Sequence, residues 1–133
     1  MSRIRLLIVD ENASVCKALE ARLNSMADLD VLGSVGDASA ALRMVEELSP
    51  EIILLEPKRP DGEGIRLCRE LAAAPGGPSV IVLTSYHDEK EDLVTGELGA
   101  EHYMLKDIDT QALLAAIRET YQEREQRLRE SPQ

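Results

Sequence analysis

The chain has 133 residues, 44% of them hydrophobic, enough for one domain with its own core. It carries 25 acidic against 15 basic residues, a formal net charge of −10. Such a surface repels nucleic acid, so direct DNA binding by this segment is not expected. The two cysteines, Cys16 and Cys68, have no metal-ligand spacing, and no apolar run approaches membrane length. Reduced thiols, a cytoplasmic location and no membrane contact are the resulting expectations.

Strand-like and helix-like periods alternate along the chain. "IRLLIV" (4–9) is a short, nearly continuous apolar run, as expected of a strand buried on both faces. Residues 13–26 place Val15, Leu19, Leu23 and Met26 at helical spacing. "DVLGSV" (30–35) is a weaker strand, and 37–48 reads as a helix with Asp37 as N-cap. "EIILL" (51–55) is again a buried strand, followed by a helix over 64–73. "APGGP" (74–78) is a loop, dense in Pro and Gly. "SVIVLT" (79–84) is a strand. The helix expected over 88–99 opens with Asp88 and has Glu91 three residues on, a capping-box pattern, and it stops at Gly99. A strand over 101–105 and a helix over 109–122 complete the alternation. Five strands and five helices in strict alternation predict an α/β fold: a doubly wound parallel sheet, flavodoxin-like (βα)5, with strand order 2-1-3-4-5.

Ligands in this architecture bind outside the carboxyl ends of the strands, where the strand order reverses. Polar groups gather at those ends. Strand 1 ends in Asp10-Glu11, strand 3 in Glu56, and strand 4 in Thr84-Ser85; strand 5 carries Tyr103 and is followed by Lys106. Clustered carboxylates require a cation or a shared proton. Hard oxygen ligands suit Mg²⁺, and a lysine with a hydroxyl opposite them suits an anionic group such as a phosphoryl.

These elements resemble a response-regulator receiver domain (CheY-like), most like the NarL/FixJ group. The resemblance covers about residues 4–122. The family's acidic pair falls on Asp10-Glu11 in "LLIVDEN", and its phospho-accepting aspartate falls on Glu56 in "IILLEPKRP". Pro60 and Gly64 follow at the family's spacing. The conserved hydroxyl falls on Thr84, the lysine on Lys106 and the switch aromatic on Tyr103. The resemblance implies an acidic pocket of Asp10, Glu11 and Glu56, able in the family to hold Mg²⁺, and a switch made of Thr84, Tyr103 and Lys106. It also implies signal transduction rather than enzymatic catalysis, a sensor histidine kinase upstream, an output domain or partner protein downstream, and a homodimer as an assembly.

Two positions depart from the family's pattern: Glu56 replaces the phospho-acceptor, and Glu11 replaces the second acid. A Glu adds about 1.5 Å of reach, more than in-line phosphotransfer tolerates. Little or no phosphorylation at Glu56 is expected, and its carboxylate is expected to reach toward Lys106 and Thr84. Three readings stay open: a built-in phospho-mimic, a fixed docking or dimerisation scaffold, and a receiver regulated by a metal or another input. Residues 1–122 form the expected receiver domain. Residues 123–133, with Glu123–Arg127 and Glu125–Arg129 at i, i+4, form a solvated helical extension or linker, leading in the NarL/FixJ group to a DNA-binding output domain and a role in transcription regulation. A haloacid-dehalogenase-type phosphatase would need Asp-x-Asp after strand 1, and a flavodoxin a Ser/Thr/Gly-rich phosphate loop; "DENAS" supplies neither.

Overall fold

A computed structural model describes residues 3–59 and 62–130. Pro60, Asp61 and the last three residues of the extension therefore lie outside the described residues. In chain order the elements are β1 (Ile4–Val9), α1 (Ala13–Asn24), β2 (Leu29–Val35), α2 (Ala38–Leu48), β3 (Ile52–Leu55), α3 (Gly64–Ala73), β4 (Ser79–Thr84), α4 (Glu89–Glu97), β5 (His102–Leu105) and α5 (Thr110–Glu130). The strands form one parallel sheet in the order β2-β1-β3-β4-β5, as the alternation predicts.

Period-two alternation within the strands splits the core into two layers. Leu6, Ile8, Ile52, Leu54, Ile81 and Leu83 face one side and pack on α1 and α5 through Leu19, Leu23, Leu113 and Ile117. Leu7, Val9, Ile53, Leu55 and Val80 face the other side and pack on Ala41, Leu67 and Leu71. Cys16 belongs to the first layer and Cys68 to the second, so the sheet separates the two free thiols. Burial pushes the Cys68 thiol up to about 11.

Caps fix where the helices begin. Asn12 accepts from the Val15 amide at 3.1 Å, Asp37 from Ala40 at 2.7 Å, and Asp109 from Ala112 at 2.8 Å. Gly64 opens α3 because nothing larger fits: a Cβ there would stand 1.6 Å from the Pro57 carbonyl oxygen. The start of α3 therefore lies directly against Pro57.

Past residue 122 the final helix is mostly exposed, with one buried residue, Arg124. α5 runs unbroken to Glu130. Arg124 is buried, donating to the Gly76 and Gly77 carbonyls at 3.2 and 3.4 Å, and Arg127 pairs with Glu101 at 3.0 Å. The dense Gly/Pro loop leaves backbone carbonyls bare, and the helix arrives with the Arg124 guanidinium to satisfy two of them, while Arg127 donates to the Glu101 carboxylate and the Ser79 hydroxyl. Spacing along one helix could not reveal these partners, which come from a different segment.

Candidate functional site at the carboxyl ends of the strands

The β1–β2, β1–β3 and β4–β5 ladders run one residue past their strands and deliver the site. The Asp10 amide donates to Val35 O at 3.0 Å, the Glu56 amide to Val9 O at 2.9 Å, and the Lys106 amide to Thr84 O at 2.8 Å. The three side chains consequently emerge together above β1, β3 and β5. The Lys106 ammonium sits between two buried carboxylates, 2.5 Å from Asp10 Oδ2 and 3.1 Å from Glu56 Oε1. Burial works against the lysine's charge, but the two carboxylates outweigh it and hold its pKa above the ordinary value.

Backbone amides occupy the remaining carboxylate positions. Asp10 Oδ1 accepts from the Asn12 amide at 2.9 Å. Glu56 Oε1 accepts from Ser85 N at 3.3 Å, and Oε2 from Lys58 N at 3.1 Å. Glu56 thus reaches Lys106, as its added methylene allows. Its second expected target, Thr84, is met differently: the strand contributes the Ser85 amide to Glu56, while the buried Thr84 hydroxyl accepts from the Lys58 ammonium at 3.2 Å.

The acidic pocket expected from Asp10, Glu11 and Glu56 is split. Asp10 and Glu56 are buried, but Glu11 is exposed, because it leads the turn into α1 and its side chain is turned toward solvent. Among the described residues no cluster of three or more Asp, Glu, His or Cys side chains is arranged to hold a metal. Every carboxylate oxygen of Asp10 and Glu56 already takes a donor, and the Lys106 ammonium bridges the two carboxylates. This donor set does not fit Mg²⁺; the counter-charge is the chain's own lysine.

Tyr103 connects to Glu56 through Glu91 and Lys58. Its hydroxyl donates to Glu91 Oε1 at 2.8 Å and accepts from the Asp88 amide at 3.2 Å. The capping box expected at Asp88 and Glu91 is therefore half made. Asp88 Oδ1 accepts from the Lys90 and Glu91 amides at 3.0 and 3.2 Å. Glu91 does not return the bond; it turns to Lys58, 2.8 Å away. Lys58 and Glu91 are the site residues that sequence reading missed. Lys58 stands in a charged loop and Glu91 at a capping position, and the only signal in the sequence was a pair of opposite charges on either side of Thr84.

No helix among the described residues is long and apolar enough to cross a membrane. The family model for the response regulator receiver domain matches residues 6–118. The transcriptional regulatory protein LiaR of Bacillus subtilis is 33% identical over 115 residues, 86% of this chain and 54% of LiaR. The DNA-binding transcriptional activator DevR/DosR of Mycobacterium tuberculosis is 31% identical over 116 residues, 87% of this chain and 54% of that protein. The chain thus spans about half the length of the curated relatives it matches. Among solved structures, a CheY-like receiver domain protein from Methanospirillum hungatei superposes with a TM-score of 0.82 at 25% identity, covering 94% of this chain and 98% of that one. The sheet order, the convergence of Asp10, Glu56, Thr84 and Lys106, and these matches together establish that the chain belongs to the response regulator receiver domain family of two-component signalling.

Proposed function

We propose that this receiver works without phosphotransfer at Glu56, and that it controls a DNA-binding output domain in transcription regulation. The observation that carries the reading is the Lys106 ammonium bridging Asp10 and Glu56. A phosphoryl group on the family's aspartate presents negative oxygen to the same lysine. Glu56, one methylene longer, presents a carboxylate there permanently. The mimicry is partial, because a carboxylate carries one charge against roughly −1.5 to −2 for a phosphate. Phosphotransfer would also need a divalent ion, for which Asp10 and Glu56 leave no free oxygen. The names of LiaR and DevR/DosR support a transcriptional output. The acidic surface fits a regulatory half rather than a DNA-reading half.

A second reading, a fixed docking or dimerisation module, is favoured by one observation: Lys58 rather than Glu56 engages the Thr84 hydroxyl. The test uses a small-molecule acyl phosphate with Mg²⁺ and intact-mass measurement. The parent protein is expected to stay unmodified while Glu56→Asp gains one phosphoryl mass. A phosphoryl adduct on the parent would overturn the first reading. Glu56→Gln separates the two: altered self-association or output supports the mimic, and unchanged behaviour supports the scaffold.

A further inference from the structure

The Lys58 ammonium lies where four segments meet. It has three N–H donors. Glu91 Oε1, Thr84 Oγ1 and the Tyr86 carbonyl accept at 2.8, 3.2 and 3.3 Å, so all three are used. The exposed Tyr86 ring lies 4.7 Å from the same charge. The other end of the residue is equally fixed, because the Lys58 amide donates to Glu56 Oε2. One residue thus joins the replaced acceptor position to the switch hydroxyl and to α4.

Helix α4 has little else to hold it. It buries a single residue, Thr95, where α3 buries Gly64, Leu67, Cys68 and Leu71. Leu93 and Val94 are exposed. A helix of nine residues draws its stability from tertiary contacts, and here the contacts at its first turn are polar. The Lys58 and Glu91 side chains are 24% and 11% exposed, so their pair is less screened than a surface ion pair. Burial opposes the Lys58 charge, yet Glu91 more than compensates and the lysine's pKa is raised. The ring then closes through Tyr103, which donates to the same Glu91 oxygen and accepts from the Asp88 amide.

We propose that Lys58 is a built-in tether that sets the β4–α4 loop, α4 and Tyr103 in one arrangement by holding Glu91 and Thr84, independently of the charge at Glu56. In that arrangement the switch hydroxyl and the switch aromatic answer to the chain's own cation. The tether assumes the family's placement of the switch on Thr84 and Tyr103. It does not assume that Glu56 escapes phosphorylation, which the acyl-phosphate mass test reads separately.

The test is amide hydrogen exchange on the 133-residue chain, read over residues 85–97, with α1 as internal control. Lys58→Met and Glu91→Gln are each expected to speed exchange there about 3- to 10-fold while α1 stays unchanged, and the double variant is expected to go no further than the faster single one. Glu56→Gln should leave 85–97 within about twofold of the parent. Parent-like exchange in Lys58→Met, or additive effects in the double variant, would overturn the tether. Acceleration by Glu56→Gln equal to that by Lys58→Met would also overturn it, by making α4 depend on Glu56. Should Lys58→Met unfold, the charge-swapped pair Lys58→Glu/Glu91→Lys takes its place: restored protection supports the tether, and protection as poor as in Glu91→Gln overturns it.

Discussion

At the amino ends of the strands, arginines close on backbone carbonyls. Arg5 donates to Ser49 O at 2.8 Å and to Leu48 O, and Arg124 donates to Gly76 O and Gly77 O. At the carboxyl ends, lysines close on side chains: Lys106 on Asp10 and Glu56, Lys58 on Glu91 and Thr84. The first kind of contact has one outcome, since a carbonyl left bare by a helix end or a loop needs a donor and keeps it. The second kind joins groups that can exchange partners, because carboxylates, hydroxyls and ammoniums from separate segments share one crevice. Rigid guanidinium forks therefore brace the base, and compact ammoniums tie together side chains from separate segments at the opposite face.

The largest expected effect that separates the ends is at Lys106. Lys106→Met leaves two buried carboxylates facing each other without a cation, and should cost about 3 kcal/mol in urea unfolding. Removing one of those charges as well, in Lys106→Met/Glu56→Gln, should recover a large part of the loss. If Lys106→Met were neutral, the ammonium would not be the counter-charge described here.

Arg124→Met comes next, at about 2 kcal/mol, because its two charge-assisted bonds to carbonyls are long and its exposure is small. The loss should appear as a lower melting temperature with the carboxyl-end groups titrating as before. A change at Tyr103 in this variant would show that the two ends are not separable.

Alkaline pH should distinguish the ends more gently. Burial and the hydrogen bond to Glu91 push the Tyr103 phenol from 10.0 up to about 12, and Lys58 and Lys106 are raised as well. All three shifts are upward in the folded state. Their stabilisation is therefore complete below the unfolded values and is lost as pH rises through the folded ones. Between about pH 10 and 12 the switch face should loosen while the arginines at the base keep their charge. Phenolate absorbance should show one of the three tyrosines ionising late, and Glu91→Gln should bring it earlier.

The fold was legible because both of its determinants are local in sequence: apolar runs with period two or 3.6, and caps such as Asn12 and Asp37 at their ends. The places of Asp10, Glu56, Thr84 and Lys106 were legible for a related reason, since a parallel sheet brings all its strand ends to one side. What spacing could not give is the direction of a long side chain. Glu91 occupies a capping position, yet its carboxylate follows the Lys58 charge, which is 33 residues away in sequence. Glu11 carries the acid expected of it but stands exposed in the turn between β1 and α1. The burial of Arg124 within the mostly exposed last turns of α5 was hidden because the carbonyls it serves belong to a loop nearly fifty residues earlier.

The central claim is that the chain's own charges, rather than a transferred phosphoryl group, set this receiver. The most direct measurement is the amide NMR spectrum before and after adding Mg²⁺ with beryllofluoride, a phosphoryl mimic. The Thr84, Ser85 and Lys106 amides of the parent protein are expected not to move, while those of Glu56→Asp do. Saturable shifts of those amides in the parent would contradict it.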